Sequence, residues 1–459
     1  MINELLSRAF ILSNKKINVS FKNATTSKVG EYYFTSFKKE NISFSGNLEI
    51  NFRTMEICND AKSFDYGLSV NGNIAKVKNN IMNTRDIYYI YEPTNNLFVV
   101  FNHLLLAKEI LEACALEVTY SSIKIYENGS HFKHIHQIQF AESIICEIKN
   151  GKVALSFENE KDILTETEID TNYTIETAKD NFYAVLFEAT KRLTMDYEDV
   201  SIPLSGGLDS GSIAYLLAKL GKNVTAYSIG TEWGNEYNDA ASTANYIGIR
   251  LNQIYISRED IFREIPCIIA AFGFNVSSNV EISLVPQCLF RKVEETNKNK
   301  NILFATGFGS DLLNAGIFKP FDKYSELYDE IITTLKKTRM PNETYSNLFF
   351  QNNSMFHNIN VVHPFWETSV IEESLRIPVE FKVSENRDKY FFRKLMEDKM
   401  GYENCWRKKW AAHHGTGIGF NLMQAIGGGD DSFGRDDYEK YFRDIHEKIF
   451  YKNDFSIIK

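Results

Sequence analysis

The chain has 459 residues, of which 44% are hydrophobic and 24% are charged, and its formal net charge is −9. These values predict a globular protein with more than one hydrophobic core, and an acidic chain without a basic run argues against a nucleic-acid partner. The sequence has no run of about 18 apolar residues and no basic and apolar leader, so we expect neither a membrane-spanning helix nor a signal peptide. Its six cysteines are scattered without a CxxC pair, which indicates reduced thiols and a cytoplasmic location.

Short strands separated by turns dominate residues 1–165, which we predict to form a first domain. Aromatic and β-branched residues are enriched in three segments that we predict as strands, 32–34, 87–91 and 97–101. A helix is predicted from Leu104 to Leu116. The polar and acidic stretch 159–172 is typical of a linker.

Helical and apolar-strand patterns alternate in the remainder, 173–459, which we predict to form a second domain. The predicted helices are 177–194, 212–220 and 239–247, and the predicted strands are 200–202, 224–229 and 254–256. This alternation predicts an α/β fold with a doubly wound parallel sheet. In such sheets, ligands bind beyond the carboxyl ends of the strands.

The most informative segment is 203–210, Pro-Leu-Ser-Gly-Gly-Leu-Asp-Ser, which connects a predicted strand to a predicted helix. Backbone N–H groups and the helix dipole favour an anion at such a turn, and the two glycines let the main chain approach a phosphate. The hydroxyls of Ser205 and Ser210 are additional donors. Asp209 would repel a bare phosphate, which indicates a divalent cation between them. The alternative interpretation is a Gly-rich turn with a Ser N-cap.

Two later segments extend this pattern. Residues 302–313 repeat the order of apolar strand, Gly-rich turn and aspartate, so we expect Asp209 and Asp311 to face one metal–triphosphate cluster. The segment 405–417 contains Lys409 in a basic cluster beside a Gly-containing turn, which suits a cover over anionic intermediates. A solvated charged loop is the alternative interpretation of this third segment.

These motifs together carry a family resemblance. Residues 175–425 resemble the synthetase domain of the asparagine synthetase family, which is of the ATP pyrophosphatase type. Within the family they are most similar to the β-lactam-forming branch, β-lactam synthetase and carbapenam synthetase. The matching strings are IPLSGGLDS (202–210), YSIGTEWGNEYNDA (227–240), TGFGSDLL (306–313), HPFW (363–366) and WRKKWAAHHGTG (406–417). The fold implied for this part is an adenine-nucleotide α-hydrolase-like synthetase domain.

The resemblance implies ATP and Mg²⁺ as cofactors and assigns site residues by motif position. ATP and pyrophosphate are expected at Leu204, Ser205, Gly206, Gly207, Asp209, Ser210, Ser228, Ile229 and Gly307. Mg²⁺ is expected at Asp209 and Asp311, and Lys409 is expected to stabilise the anionic transition state. Candidate substrate contacts are Phe308, Glu281 and Gly309.

The N-terminal region departs from the glutamine-dependent members of the family. Those enzymes place a nucleophilic cysteine directly after Met1, whereas this chain has Ile2 there, and the nearest cysteine is Cys58. We therefore expect a degenerate glutaminase-like domain, an Ntn-type α+β sandwich, that does not hydrolyse glutamine.

A second departure concerns the β-lactam-forming branch, which deprotonates the substrate amine with a Tyr–Glu pair. The position of the tyrosine is Phe308 here, and Glu343 is the only candidate for the glutamate. Another group could relay the proton, with His413 and His414 as candidate acceptors. Alternatively, the amine loses its proton late, or the product is not a β-lactam.

The resemblance implies an ATP-dependent amide-forming ligase that acts through an acyl-adenylate and releases AMP and pyrophosphate. The expected substrate is a small, amino-acid-like carboxylate that closes onto its own amine in natural-product (antibiotic) biosynthesis. Intermolecular amidation by ammonia or a small amine is the alternative, and a non-catalytic family member is a third hypothesis. We expect no nucleic-acid or membrane partner, and homo-oligomer formation stays open.

Overall fold

The computed structural model describes residues 2–37, 47–52, 56–58, 67–79, 82, 86–127, 129–159, 162–297, 301–316, 324–337, 357, 359–384, 387–408, 411–430 and 432–458. Its strands are β1 Phe10–Ser13, β2 Thr25–Val29, β3 Tyr32–Ser36, β4 Asn47–Asn51, β5 Glu56–Cys58, β6 Gly67–Asn71, β7 Ile74–Lys78, β8 Tyr88–Glu92, β9 Leu97–Phe101, β10 His136–Gln137, β11 Glu142–Lys149, β12 Lys152–Asn159, β13 Asp199–Pro203, β14 Asn223–Thr231, β15 Gly234–Asn235, β16 Arg250–Tyr255, β17 Ile302–Ala305 and β18 Ile359–Val362.

The α-helices of the described residues are Ile2–Leu5, Ala107–Ala113, Ile163–Glu166, Ile175–Thr194, Leu208–Lys219, Tyr237–Ile247, Arg258–Phe272, Ser277–Thr296, Ser310–Leu313, Tyr324–Lys337, Thr368–Arg376, Val379–Lys382, Tyr390–Met400, Tyr402–Trp406, Ala412–Gly415, Ile418–Gly427 and Arg435–Phe450. Short 3-10 helices are Pro93–Asn95, Leu104–Leu106, Pro364–Trp366 and Phe455–Ile457.

Two antiparallel sheets of six strands form the N-terminal region. Their strand orders are β10-β8-β9-β1-β3-β2 and β12-β11-β7-β6-β4-β5. Burial alternates along β4 and β6, so one face of the second sheet is covered. The rings of Phe34 and Phe52 lie 6.2 and 5.9 Å from that of Phe10, and these side chains belong to the core between the two sheets. The strands predicted at 32–34, 87–91 and 97–101 are confirmed as β3, β8 and β9.

The stretch predicted as a linker, 159–172, contains the short helix Ile163–Glu166. The Asp162 side chain caps this helix by accepting a 3.1 Å hydrogen bond from the Leu164 N–H. Ile163 and Leu164 are buried in the core of the C-terminal region. These two apolar side chains therefore anchor an otherwise polar stretch to the C-terminal region.

A third sheet lies in the C-terminal region and confirms the predicted α/β fold. Parallel pairing joins β16, β14, β13, β17 and β18 in that spatial order. The two-residue strand β15 pairs antiparallel with β14, so the sheet is mixed, which corrects the purely parallel prediction. The helix predicted from 212 begins at Leu208, because Gly207 is extended and serves as its N-cap. Asp209 and Ser210 therefore lie in the first helical turn.

The helices Arg258–Phe272 and Ser277–Thr296 pack against each other and contain an internal proline each, Pro266 and Pro286. Glu264 joins them: its carboxylate accepts hydrogen bonds of 2.9 and 3.1 Å from Arg291. Burial acts to raise the pKa of Glu264, but the charge of Arg291 and the hydrogen bonds from Arg291, Gln287 and Arg263 together outweigh it, and the pKa lies below its ordinary value. This ion pair fixes the helix that forms one wall of the cavity described below.

In the described part of the chain, no single helix has both the length and the apolarity to cross a membrane. The helices Arg258–Phe272 and Ser277–Thr296, which are bent by 109° relative to each other, satisfy the two criteria only when they are taken together.

None of the five cysteines whose side chains are described, Cys114, Cys146, Cys267, Cys288 and Cys405, forms a disulfide with another described residue. Burial raises the pKa of the Cys267 and Cys405 thiols to about 12. Since the thiolate is the reactive form, these groups are inert packing residues at neutral pH.

Candidate active site

A cavity of about 310 Å³ opens at the carboxyl ends of β13, β14 and β17. Its lining includes seven of the residues predicted to bind nucleotide, Leu204, Ser205, Asp209, Ser210, Ser228, Ile229 and Gly307. It also includes Phe308 and Gly309, predicted to contact substrate, and Asp311, predicted to bind metal. Three strand ends thus bring together residues that are up to about a hundred positions apart in the sequence.

The first Gly-rich turn packs closely on the start of the helix Tyr237–Ile247. Gly206 has a φ of +75°, and a Cβ at this position would lie 2.5 Å from the Asp239 carbonyl oxygen. Arg407 holds the same contact, because its guanidinium donates to the carbonyls of Gly206 (3.0 Å) and Asp239 (3.1 Å). Glycine at 206 is therefore required both by the left-handed backbone and by the close approach.

Hydroxyl groups converge on the opening of this turn. The Oγ atoms of Ser205 and Ser210 lie 3.4 Å apart, and the Gly207 N–H donates to the Ser205 Oγ at 3.3 Å. On the neighbouring strand β14, the Ser228 Oγ is buried and has no hydrogen-bond partner among the described residues. A buried hydroxyl in a cavity wall is suited to bind a polar atom of a ligand.

The second Gly-rich turn touches the first. A Cβ at Gly307 would lie 2.6 Å from the Asp209 carbonyl oxygen, so only glycine permits this contact. Beside it, Lys389 bridges the two predicted metal ligands: its Nζ lies 2.6 Å from the Asp209 Oδ1 and also contacts the Asp311 Oδ1. The side chains of Lys389 and Asp209 are only 2% and 5% exposed, whereas that of Asp311 is 40% exposed.

Lys389 was not predicted from the sequence. It follows Asp388 and precedes the helix Tyr390–Met400 with a φ of +53°, a left-handed conformation uncommon for a lysine. A single lysine in this setting has no motif that would distinguish it from a surface residue. Only its contact with Asp209, 180 positions away in sequence, reveals its place in the site.

The carboxylates fit a divalent cation. Asp209 and Asp311 approach one point, which the ammonium of Lys389 occupies. Within the described ranges, no group of three His, Cys, Asp or Glu side chains could hold a metal by itself. Mg²⁺ commonly takes one or two protein carboxylates and completes its shell with substrate phosphates and water, so two carboxylates suffice.

The segment 405–417 is anchored on both sides of Lys409. Arg393 donates to the Cys405 carbonyl and, at 2.9 Å, to the Asp388 carboxylate, which links this segment to the residue before Lys389. At the other end, the Thr231 hydroxyl donates to the Thr416 carbonyl at 2.6 Å. Lys409 itself lies outside the described residues, as does Glu343.

His413 lies in the cavity lining, and its ring centroid is 4.1 Å from that of His414. Burial, with a smaller contribution from His414, lowers the pKa of His413 to about 4. The imidazole is therefore neutral at physiological pH and retains one acceptor nitrogen.

One wall of the cavity is apolar and comes from a single helix face. The helix Ser277–Thr296 contributes four side chains with i, i+3, i+4, i+7 spacing, Ile282, Val285, Pro286 and Leu289. Phe308 also lines the cavity, and its ring packs edge-on against His363 and Trp366, with centroids 5.7 and 5.9 Å away.

Glu281 is not brought to this cavity. Its carboxylate accepts a 2.8 Å hydrogen bond from the Tyr438 hydroxyl of the helix Arg435–Phe450. Burial raises the pKa of Glu281. In this structure the Glu281 carboxylate thus joins two helices outside the cavity lining, and a substrate contact at this residue stays a prediction.

Comparisons with known proteins agree with the motif pattern. The family model described as asparagine synthase matches residues 181–348 and 340–425. Carboxyethyl-arginine beta-lactam-synthase from Streptomyces clavuligerus is 24% identical over 216 residues, 47% of this chain and 40% of that protein. Asparagine synthetase [glutamine-hydrolyzing] from Gallus gallus is 24% identical over 258 residues, 54% of this chain and 45% of that protein. The matched region thus spans less than half the length of these relatives.

Among solved structures, NMN synthetase from Francisella tularensis is 12% identical and superposes with a TM-score of 0.30, covering 63% of this chain and 97% of that one. This similarity is too low to bear on fold or function.

Proposed function

The chain belongs to the asparagine synthase family, and from this premise we propose that it is an ATP-dependent ligase that forms a carbon–nitrogen bond and releases AMP and pyrophosphate. The main support is the meeting of Asp209 and Asp311, from two Gly-rich strand ends, on one cationic group at the edge of a cavity. Such a pair of turns provides N–H donors and a metal position for a polyphosphate.

In the proposed reaction, a carboxylate oxygen of the substrate attacks the α-phosphorus of ATP, and the bond to pyrophosphate breaks. The backbone N–H groups around Gly206, Gly207 and Gly307 stabilise the charge that develops on the phosphoryl oxygens. Asp209 and Asp311 would hold Mg²⁺, which neutralises the leaving pyrophosphate when bound. We assign the adenine ring of ATP to the strand-end side of the cavity, where Ser228 offers a buried hydroxyl.

The amine then attacks the carbonyl carbon of the acyl-adenylate, AMP leaves, and Lys409 neutralises the tetrahedral intermediate. When both groups belong to one substrate, correct placement lowers the barrier by up to about 7–11 kcal/mol, so we favour intramolecular closure. Phe308 supports the second candidate, intermolecular amidation, because its ring has no hydroxyl to relay a proton from the amine. In either route, His413 is available to accept the proton that the attacking amine loses, because its imidazole is neutral at pH 7.

We extend the proposal to the domain organisation. Residues 1–165, with the two antiparallel sheets, are proposed as a degenerate glutaminase-like domain, and residues 173–459 as the synthetase domain. The purified protein should release no glutamate from glutamine. Glutamate release at a rate comparable to amide formation would contradict the assignment of the first domain.

ATP–pyrophosphate exchange tests the adenylation step. Labelled pyrophosphate should enter ATP only when a suitable acid is present, and AMP should appear when the amine is added or is part of the acid. Release of ADP, or ATP binding without exchange for any acid, would contradict the proposed ligase and favour a non-catalytic family member.

Lys409→Met separates the two steps. The variant should retain exchange but lose about 10²–10³-fold in amide formation, because one charge contact to the anionic intermediate is removed. The adjacent Lys408→Met variant is the matched control and should stay near wild type. The reverse result would show that Lys408 holds the catalytic position.

A further inference from the structure

We propose that the acid taken by this site is a monocarboxylic acid with a hydrocarbon body, which packs against the helix face of Ile282, Val285, Pro286 and Leu289. This inference rests on the proposed function, since the reacting carboxyl group must meet the α-phosphate of ATP. It adds the chemical class of the substrate.

The helix face is shaped for an apolar partner. Its four residues follow one stripe of the helix Ser277–Thr296, with Pro286 and Leu289 buried and Ile282 and Val285 partly exposed at the cavity. The partly exposed pair still has apolar surface to cover, and a hydrocarbon chain covers it most favourably. Phe308 continues the apolar surface beside the Gly307 turn.

The described lining offers no lysine or arginine to pair with a second carboxylate. It contains three carboxylates, from Asp209, Asp311 and Glu236, and the Lys389 ammonium beside it is already paired with Asp209 and Asp311. His413 adds no positive charge at neutral pH. A dicarboxylate such as aspartate would place its second anionic group among acidic or apolar neighbours, which is costly without a paired cation.

The adenine ring is the competing occupant of an apolar wall. The strand-end residues Leu204, Ser228 and Ile229 provide a separate surface that combines apolar side chains with a buried hydroxyl, which suits a base with polar edges. The helix face offers side chains of hydrocarbon alone. We therefore assign the helix face to the acid, and the experiment below separates the two occupants.

A series of carboxylic acids of increasing chain length tests whether the helix face binds a hydrocarbon chain. Butanoate, hexanoate and octanoate are titrated into the 459-residue protein saturated with a non-hydrolysable ATP analogue and Mg²⁺, with aspartate as the comparison. Each buried methylene should lower Kd by about four-fold, and aspartate should bind more weakly than hexanoate. A Kd independent of chain length, or tighter binding of aspartate, would overturn the proposal.

Val285→Asp places a charge in the wall, and Val276→Asp places the same charge outside it, at the exposed N-cap of the same helix. Val285→Asp should weaken octanoate binding at least 10-fold and leave the affinity for the ATP analogue unchanged. Val276→Asp should match wild type in both. If Val285→Asp instead weakens binding of the ATP analogue, the helix face holds the adenine ring and the proposal fails.

Exchange activity distinguishes this failure from failure of the proposed function. If binding depends on chain length but no pyrophosphate exchange occurs, the proposed acid site on the helix face stands and the proposed ligase activity is wrong. If aspartate stimulates exchange best, the ligase activity stands and the proposed acid site is wrong.

Discussion

The Lys389 ammonium lies 2.6 and 2.7 Å from the two carboxylate oxygens of Asp209, and both side chains are almost fully buried. Removing one partner of a buried pair leaves a charge in a poorly solvated place, which is far costlier than the pair itself. The same ammonium contacts Asp311, so it occupies the point at which a metal ion would bind. The proposed metal ion and the lysine would therefore compete for the same carboxylates.

Lys389→Met should create a metal site that needs no nucleotide. In metal-free buffer, the variant should lose about 3–5 kcal/mol of unfolding free energy, because the cation between the carboxylates is gone. Added Mg²⁺ should restore part of this loss, whereas wild type should show no shift with Mg²⁺ alone. Thermal unfolding with and without Mg²⁺ measures both effects. Lys394→Met, which removes a lysine that is 39% exposed, is the control, and a Mg²⁺ response of equal size in wild type would contradict the competition.

Asp209→Asn and Asp311→Asn should each lower AMP release by at least about 10²-fold, since an amide provides no charge for the cation on the polyphosphate. Their stabilities should differ: Asp209→Asn also breaks the buried pair with Lys389, whereas Asp311 is 40% exposed. AMP release and chemical denaturation measure the two properties. The exposed Asp196→Asn serves as control, and wild-type turnover in either site variant would refute the metal assignment.

Gly206→Ala should abolish nucleotide binding, while Gly248→Ala should lose only stability. Both residues have a left-handed backbone, with φ of +75° and +80°, which costs an alanine about 1 kcal/mol. A Cβ at Gly248 meets open space, but at Gly206 it would meet the Asp239 backbone and displace the first Gly-rich turn, which we propose to bind phosphate. Calorimetric titration of ATP compares the two variants. Equal ATP affinity in both would show that the close approach at Gly206 has no role in binding.

The pH dependence of stability should report Lys382, whose ammonium group donates to the Leu313 carbonyl at 2.7 Å beneath the Asp311 turn. Burial lowers the pKa of Lys382 to about 7, whereas an unfolded lysine titrates near 10.4. Between these values the unfolded chain binds the additional proton, so stability rises with pH, by up to about 1.4 kcal/mol per unit. Denaturant unfolding at pH 7, 8 and 9 should give this slope as the difference between wild type and Lys382→Met. Parallel pH profiles would contradict it.

Local patterns predicted the first Gly-rich turn between a strand and a helix, but they did not predict the Lys389 ammonium beside it. The turn around Gly206 is predictable because an apolar strand, two glycines and a helix are adjacent in sequence, and each has a local cause. Lys389 and Asp209 are 180 positions apart, and their pairing depends on how the helix Tyr390–Met400 packs, which no local pattern encodes. The hydrogen bond between Glu281 and Tyr438 escaped prediction for the same reason, because Tyr438 comes from a helix that is distant in sequence.

Pro286 has a consequence for the helix wall. Since proline has no backbone N–H, the helix Ser277–Thr296 lacks the hydrogen bond that position 286 would donate to the Ile282 carbonyl. Both residues line the cavity, so the helical ladder is interrupted within the wall itself. At this point the wall is held by side-chain packing rather than by a complete set of helical hydrogen bonds.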